Sequence, residues 1–320
     1  PTRCSISSGG KMITKVSTLG MTHEEWLKRR KEGIGGSDAG AICGLNPYAS
    51  PMSVYQDKTS QEISASDNEA MRQGRDLEEY VARRFTEAIG LKVRKSNMMY
   101  VNSRYPFMLA DVDRLVVGED AGLECKTASA YNADKWKDGE IPPHYVIQCY
   151  HYMAVTGRKN WYIAVVVLGQ GFQYRKLSWD EEMIRNLISI EDDFWNSHVL
   201  KRVMPDPDGS NACDEVLEQY FHHARKGTAV PLIGFDEKLN RRQEIVQLMK
   251  KLEQEQKQIE QEIKLYMKDN ESAFNERYRI TWTNVDTARL DTKRVKEEKP
   301  EVYRQFMQTT SSRRFTVKAA

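Results

Sequence analysis

Two acids and a lysine are the side chains in this sequence whose types and spacing could do chemistry. Asp113 lies in a segment, residues 108 to 117, that alternates polar and apolar residues, and Glu124 and Lys126 follow in the next apolar segment. Glycines and acids between the segments supply a turn, so we expect two short strands paired as a hairpin. Because side chains alternate along a strand, Glu124 and Lys126 should share one face and Cys125 should point the other way. Pairing would bring Asp113 close to Glu124.

Carboxylates and an amine on one face make a site for a hard divalent cation with an ammonium beside it. That combination suits metal-assisted hydrolysis of a phosphodiester. The spacing alone is a weak signal, because 29% of the residues are charged and an Asp followed by Glu-x-Lys recurs by chance. A buried ion pair between Glu124 and Lys126 is the alternative that the residues leave open. The apolar surroundings favour a functional role, since unpaired charge in a central strand is costly.

A glycine-rich loop precedes this region. Gly33 to Gly36 leads into Ser37, Asp38 and an apolar helical run, which indicates a loop that feeds a helix N-terminus. Free backbone N–H groups there, with Ser37 and the Arg30 guanidinium, could hold a phosphate. The simpler alternative is a capping loop with Ser37 as the N-cap residue.

Three more polar residues lie on predicted helices. Glu78 falls at the margin of an apolar stripe, where it could also be only a solvated charge. Gln148 and Tyr152 are four residues apart and share one face of the helix that follows two prolines. Asp111 lies near Asp113 and is a second-choice acid.

The elements that would position these residues follow a mixed order of helices and strands. Helices, three strands, a helix, two strands and a helix indicate an α/β sandwich, in the α+β sense, around a mixed sheet. We expect a loose leader at residues 1–20, a domain at 21–204 and an extension at 205–320.

The extension is predicted to hold a long helix at about 236–269 and then a small unit of strands and helix, with strands at 274–283 and 311–317. The long helix packs either on residues 212–226, as an antiparallel hairpin of its own chain, or on another chain as a coiled coil. Its apolar residues follow a heptad pattern with one polar member: Ile245, Met249, Leu252, Gln256, Ile259, Ile263 and Tyr266.

Composition sets the class of protein. The chain has 320 residues, 40% of them hydrophobic, and a formal net charge of +2, which neither indicates nor excludes nucleic-acid binding. Its five cysteines include no CxxC pair, which argues against a zinc ribbon or an iron–sulfur cluster and fits a reducing cytoplasm. No apolar run is as long as a membrane span, so we expect no membrane association.

Several motifs occur together, in one order, over roughly residues 22 to 200. They are Trp26-x3-Arg30, Gly35-Gly36-Ser37-Asp38, Gly74-x2-Leu77-Glu78, Val112-Asp113-Arg114-Leu115, Leu123-Glu124-Cys125-Lys126 and Gln148-x3-Tyr152. This combination resembles the YqaJ-type viral recombinase nucleases, which are relatives of lambda exonuclease in the PD-(D/E)xK superfamily. Val112 stands where many relatives have proline, and that departure leaves the assignment of Asp113 intact.

The resemblance implies a PD-(D/E)xK core and a 5′-to-3′ exonuclease that turns the ends of double-stranded DNA into 3′ single-stranded tails for recombination by single-strand annealing. It implies that Asp113 and Glu124 bind two Mg²⁺ ions, for which Mn²⁺ would substitute. The carbonyl of Cys125 and the carboxylate of Glu78 would assist. Lys126 would position the attacking water and help to deprotonate it.

The resemblance also assigns the remaining residues and the partners. Gln148 and Tyr152 would orient the site, and Arg30 and Ser37 would receive the terminal 5′ phosphate. The protein would form a trimeric ring around DNA and work beside a RecT-like annealing protein, in a bacterial cytoplasm, from a phage or prophage gene.

Two other functions stay open. One is a different nuclease of the same superfamily, such as a RecB-like repair enzyme, a CRISPR-associated enzyme with an iron–sulfur cluster, or a restriction endonuclease. The scattered cysteines speak against the cluster-containing type. The other is a non-catalytic scaffold that binds DNA ends. The complete set of Asp113, Glu124 and Lys126 speaks against that scaffold.

Overall fold

The computed structural model describes residues 13–61 and 68–318, and it divides the chain into two compact units, residues 1–222 and 223–320. The expected boundary lay at residue 204, so the first unit takes in one more helix than the sequence predicted. Of the expected leader, residues 1–12 lie outside the described residues. Residues 13–17 form a strand.

The first unit alternates helices and strands in the predicted manner. Its helices are α1 (His23–Arg30), α2 (Gly36–Ile42), α3 (Pro51–Thr59), α4 (Glu69–Ile89), α5 (Pro143–Thr156), α6 (Glu181–Phe194) and α7 (Asn211–Tyr220). Its strands are β1 (Ile13–Ser17), β2 (Val93–Lys95), β3 (Met98–Asn102), β4 (Tyr105–Asp111), β5 (Arg114–Val116), β6 (Ala121–Ala128), β7 (Asn160–Val167) and β8 (Gly171–Ser178). A 3₁₀ segment spans Ala130–Gly139, and a π-helical turn, Trp195–Val199, follows α6.

The central sheet has the strand order β2-β5-β6-β7-β8. Strands β6 and β7 are parallel, with Glu124 opposite Ile163, and the other pairs are antiparallel. A second, antiparallel sheet has the order β1-β3-β4. The expected fold class, a mixed sheet flanked by helices, is therefore confirmed.

Hydrophobic burial on both faces of the sheet explains why β7 is almost entirely apolar. Its odd-numbered residues, such as Trp161, belong to the core on the α5 side, and Tyr162 and Ala164 pack with Val81 and Phe85 of α4. Strand β6 alternates in the same way. Its Leu123 and Cys125 pack on the α4 side, so its polar residues face α5.

Two segments that were each expected to form one strand are split in the structure. Residues 91–101 form β2 and β3, which are separated at Asn97, whose φ is 49°. Strand β2 pairs with β5 and β3 with β4, so the chain leaves one sheet and enters the other at this left-handed residue. Residues 108–117 likewise divide between β4 and β5. The break at Val112 and Asp113 releases the Asp113 side chain from strict strand alternation.

Capping hydrogen bonds define where helices α1 and α2 begin. Helix α1 has the predicted capping box between Thr22 and Glu25. Helix α2 begins at Gly36 with Gly35 as its N-cap residue, so the alternative that made Ser37 the N-cap is wrong. Asp38 fills the capping role because its carboxylate accepts the Gly35 N–H at 2.9 Å.

The second unit contains α8 (Asp236–Met267), β9 (Ser272–Phe274), β10 (Arg279–Thr281), α9 (Thr292–Glu298) and α10 (Pro300–Phe306). The strand expected at 274–283 is thus an antiparallel pair of short strands. Residues 311–317 form no strand, which corrects that prediction. The pairing of residues 212–226 with the long helix stays a prediction. No helix in the described ranges is both long and apolar enough to span a bilayer.

Gly122 allows the closest approach inside the central sheet. A Cβ atom at this position would lie within 2.6 Å of three ring atoms of Trp161, which is fully buried. We expect Gly122→Ala to lower the free energy of unfolding by about 1–3 kcal/mol, because overpacking strains a dense core. Gly74→Ala is the control, since its Cβ would meet only Thr127 at 3.9 Å. That half-buried helical site should gain up to about 1 kcal/mol. Thermal unfolding of both variants tests this, and equal midpoints would contradict it.

Candidate active site

Asp113 and Glu124 lie side by side across the pairing of β5 with β6. Arg114 is opposite Leu123 in that ladder, so the residues on either side of this pair are neighbours. The Asp113 carboxylate accepts the backbone N–H of Cys125 at 2.8 Å, which ties the break between β4 and β5 to β6. The convergence that strand pairing predicted is therefore present, and the Cys125 side chain packs on the opposite face of the sheet.

Within the described residues, one oxygen of the Glu124 carboxylate, Oε1, accepts the hydrogen bonds that this side chain forms. Oε1 accepts from Nζ of Lys126 at 2.6 Å and from Nε2 of Gln148 at 2.8 Å. The same Gln148 nitrogen lies 2.9 Å from the Tyr152 hydroxyl. Glu124, Lys126, Gln148 and Tyr152 thus form one connected group in which β6 meets α5.

Among the residues that the structure describes, the other oxygen of Glu124, Oε2, has no hydrogen-bond partner although it is buried. Such an acceptor is costly unless a cation or donor satisfies it. Asp113, beside it, adds a second carboxylate. A buried carboxylate oxygen without a donor, next to a second and partly buried carboxylate, offers the oxygen ligands that Mg²⁺ and similar hard cations prefer, so the residues fit a divalent ion.

The protonation equilibria of the acids reflect uncompensated negative charge. Burial raises the pKa of Asp113 well above its ordinary range, and the nearby carboxylates of Glu124 and Glu78 raise it further. Burial also raises the pKa of Glu124, although Lys126 opposes that shift. For Lys126, burial lowers the pKa, but Glu124 outweighs it and the net shift is upward. Lys126 is therefore a charged ammonium in this arrangement.

Glu78 is held by a cation that the sequence interpretation overlooked. Arg114 is 3% exposed and forms ion pairs with Glu78 and, at 2.9 Å, with Glu79. Its guanidinium also donates to the carbonyl of Asp113 at 2.9 Å. The α4 carboxylate that was expected to reach a metal thus sits beside the acid pair and is engaged by arginine. Within residues 13–61 and 68–318, no three Asp, Glu, His or Cys side chains form a preassembled metal centre.

The glycine-rich loop brings Arg30 and Ser37 together as predicted from their spacing. Nη2 of Arg30 donates to the Ser37 hydroxyl at 3.0 Å and lies 3.3 Å from Asp38. The guanidinium also stacks over the Trp26 ring, at 5.1 Å from its centroid.

A buried lysine compensates Asp38. The ammonium of Lys58, whose side chain is fully buried, lies 2.7 Å from Asp38 and donates to the Arg30 carbonyl at 3.1 Å. Burial opposes ionisation of Asp38, but Lys58 and Arg30 hold its pKa at about 2. Lys58 also lies 3.2 Å from Asp57, so this lysine is shared by two carboxylates and Arg30 is the cation of this group that lines the cleft. Lys58 was not among the residues that sequence patterns singled out.

A single cleft of about 190 Å³ joins the glycine-rich loop to the acids. Its lining includes Trp26, Arg30 and Ser37 together with the carboxylates Asp113 and Glu124. Asp111 also lines the cleft and accepts the Trp26 indole N–H at 2.5 Å. The second-choice acid is thereby engaged by tryptophan. Glu78 and Lys126 approach the acids from outside this lining.

Helix α5 contacts both the glycine-rich loop and Glu124. A Cβ atom at Gly36 would come within 2.5 Å of the Tyr152 ring, so only glycine lets the loop approach this closely. One turn of α5, which carries Gln148 and Tyr152, therefore contacts the loop and the acids together.

The chain is similar to a family model, to a bacterial protein and to solved exonuclease structures. The model of the YqaJ-like viral recombinase domain matches residues 25–159. The protein YqaJ of Bacillus subtilis (strain 168) is 39% identical over 302 residues, which cover 93% of this chain and 95% of YqaJ. Among solved structures, the alkaline exonuclease LHK-Exo of Laribacter hongkongensis aligns with a TM-score of 0.49 and 19% identity, over 56% of this chain and 94% of that one. A phage-related exonuclease from Haemophilus somnus 129PT aligns with a TM-score of 0.41 and 13% identity, over 53% and 96%.

Proposed function

Because the chain belongs to the YqaJ-like viral recombinase family, we propose that it is a metal-dependent deoxyribonuclease that digests linear double-stranded DNA from its 5′ ends. The 3′ single-stranded tails left behind would serve homologous recombination by single-strand annealing. This function accounts for both the acid pair and the glycine-rich loop of the cleft, which an internal ion pair between Glu124 and Lys126 does not.

The observation that carries the proposal is that an acid pair and a glycine-rich loop with the Arg30 guanidinium line one cleft. Asp113 and Glu124 offer carboxylates that lack sufficient cationic partners, and Arg30 with Ser37 offers donors for an anion. A phosphate bound at the loop would leave a phosphodiester of the same strand near the acids. A restriction endonuclease or a non-catalytic scaffold gives no reason for that pairing of sites.

Asp113 and Glu124 would hold the divalent ions, with the Cys125 carbonyl beside them. Bound there, Mg²⁺ or Mn²⁺ supplies Lewis-acid stabilisation of charge on the phosphate and lowers the pKa of water. Gln148 keeps the Glu124 carboxylate oriented, and Tyr152 in turn lies against Gln148. Arg114 determines where the Glu78 carboxylate lies, which makes it a positioning residue for any part that Glu78 plays.

Before any proton transfer, the Lys126 ammonium acts as a hydrogen-bond donor. Its raised pKa and its ion pair with Glu124 mean that the ammonium can orient water or a phosphate oxygen at neutral pH. It could accept a proton only after the charge of Glu124 is shared with another cation, because that charge is what holds the proton on the amine. We therefore assign Lys126 to orientation and charge stabilisation first, and to deprotonation of water only when a divalent ion is bound.

A time course on end-labelled linear and covalently closed circular duplex tests the function. With Mg²⁺ we expect the linear duplex to lose nucleotides from its 5′ ends and the circle to stay intact, and with EDTA we expect neither to change. Cleavage of the circle would favour an endonuclease. Binding of ends without hydrolysis, in Mg²⁺ and in Mn²⁺, would favour the scaffold.

Removing the Arg30 guanidinium should erase a preference for 5′-phosphorylated ends. In the parent we expect phosphorylated duplex to be digested about tenfold faster or more than duplex with 5′ hydroxyls, since a charge-assisted hydrogen bond contributes about 1.5–3 kcal/mol. Arg30→Ala should digest both substrates at one slow rate. Arg29→Ala is the control, because that neighbouring guanidinium is exposed and pairs with Glu32. Equal rates on both ends in the parent would reject this role.

The proposal extends to assembly and setting. A ring-shaped trimer around DNA and a RecT-like annealing partner follow from the family resemblance and need direct measurement of mass and binding. We place the protein in a bacterial cytoplasm, from a phage or prophage gene. The cysteines that the structure describes, at 43, 125, 149 and 213, are all free thiols, which suits that compartment.

A further inference from the structure

Helix α8 exposes an apolar stripe along much of its length. Ile245, Met249, Leu252 and Ile259, which repeat at heptad spacing, are between 43% and 64% exposed. At the N-terminal end the stripe widens, because Val246 and Leu248 beside it are also about half exposed. An amphipathic helix derives most of its stability from burial of such a face. We therefore expect another apolar surface to pack against this stripe.

The residues that border the stripe are acidic on both sides. Glu253 and Glu260 follow the stripe residues Leu252 and Ile259 on one side, and Glu255 and Glu262 lie along the other side. All four side chains are exposed. The lysines of this stretch lie farther round the helix, behind the glutamates, at positions 250, 251, 257 and 264.

The glutamates beside the stripe determine which kind of helix can bind there. When two helices pair along heptad stripes, the bordering residues of one helix face those of the other. In a pair of identical α8 helices, parallel or antiparallel, the four glutamates would face glutamates, and like charges in those positions disfavour the pair. A helix with lysine or arginine beside its apolar stripe would form ion pairs instead.

We propose that the stripe of α8 is a docking surface for an amphipathic helix of a partner protein whose apolar stripe is bordered by basic residues. Apolar contacts supply the affinity, and the four glutamates select the partner. This inference does not depend on the nuclease, because it involves neither the cleft nor DNA.

Two synthetic helical peptides test it by fluorescence anisotropy against the full chain, without metal or DNA. They carry the same apolar heptad residues and differ only at the bordering positions, where one has lysine and the other glutamate. We expect the lysine peptide to bind about tenfold more tightly or better, with a preference that declines as salt is added. The quadruple variant Glu253→Lys/Glu255→Lys/Glu260→Lys/Glu262→Lys should reverse the preference.

Two further variants complete the design. Leu252→Asp/Ile259→Asp should abolish binding of both peptides while circular dichroism shows that the helix remains. Gln247→Lys/Gln254→Lys/Gln261→Lys adds positive charge on the opposite face and should keep the parent preference.

The proposal is overturned if neither peptide binds or if both bind equally. It is also overturned if the parent self-associates at neutral pH in sedimentation experiments and Leu252→Asp/Ile259→Asp abolishes that association, because a second copy would then be the occupant.

Discussion

Replacing Lys126 with methionine is expected to lower the rate of Mg²⁺-dependent digestion of linear duplex by about 10³-fold or more. Methionine keeps the length and the packing of the side chain against Tyr145, over whose ring the ammonium lies at 4.5 Å, and removes only the charge and the donors. Groups that act directly on reacting atoms contribute about 10²–10⁴-fold to enzyme rates. The loss should appear in kcat, with little change in the affinity for DNA ends, because Lys126 does not line the end-binding part of the cleft.

The matched control is Lys201→Met, which removes an exposed lysine outside the cleft and should leave the rate unchanged. Circular dichroism of Lys126→Met checks that the protein folds without the ion pair to Glu124. A folded Lys126→Met variant with full activity would rule out a catalytic role for this lysine.

Asp113→Asn should abolish digestion and, in buffer with EDTA, raise the thermal stability. The carboxylate is partly buried and lies beside Glu124, and its charge is costly in the folded protein. Asparagine keeps an oxygen that can accept the Cys125 N–H. Each 1 kcal/mol of this electrostatic cost that the substitution removes would raise the Tm by about 2–4 °C for a domain of this size.

The pH dependence of that effect has a definite sign. The pKa of Asp113 is raised in the folded state, so the folded protein binds more protons than the unfolded chain as the pH rises above the ordinary value of 3.8. The stability of the parent should therefore fall as the pH rises from that value through the raised pKa, and the full penalty should be present above it. Asp113→Asn should be stabilised above that range and little changed near pH 3.

Thermal unfolding at several pH values, with and without Mg²⁺, measures this. Mg²⁺ should raise the Tm of the parent, since an ion that binds only the folded state stabilises it, and should not raise that of Asp113→Asn. Asp206→Asn, at an exposed aspartate, should behave as the parent does. A variant that is less stable than the parent in EDTA at pH 8 would contradict the view that Asp113 carries uncompensated charge.

Local periodicity was enough to predict much of this site. Alternation along β6 placed Glu124 and Lys126 on one face, and helical spacing placed Gln148 with Tyr152 on α5. The order of helices and strands was sufficient for a mixed sheet with helices on both faces. These features follow from interactions between near neighbours in the chain.

The parts that the sequence did not reveal depend on distant contacts. Arg114 read as one residue of a strand, and only the fold shows its guanidinium between Asp113 and Glu78. Lys58 is buried because α3 brings it beneath Arg30, and no pattern around it indicates burial. The break at Asp113 arises because one segment contributes strands to two different sheets. A continuous run of alternating residues does not show where the chain passes from one sheet to the other.

The turn of α5 that contacts both the loop and the acids has a consequence for the products of the enzyme. If a terminal phosphate rests at the loop while a bond is cut at the acids, this turn acts as a molecular ruler, and its rigidity sets the length of each released fragment. Fragments from the parent should then share one size on a sequencing gel. An inserted residue in α5 that spares activity should broaden that distribution.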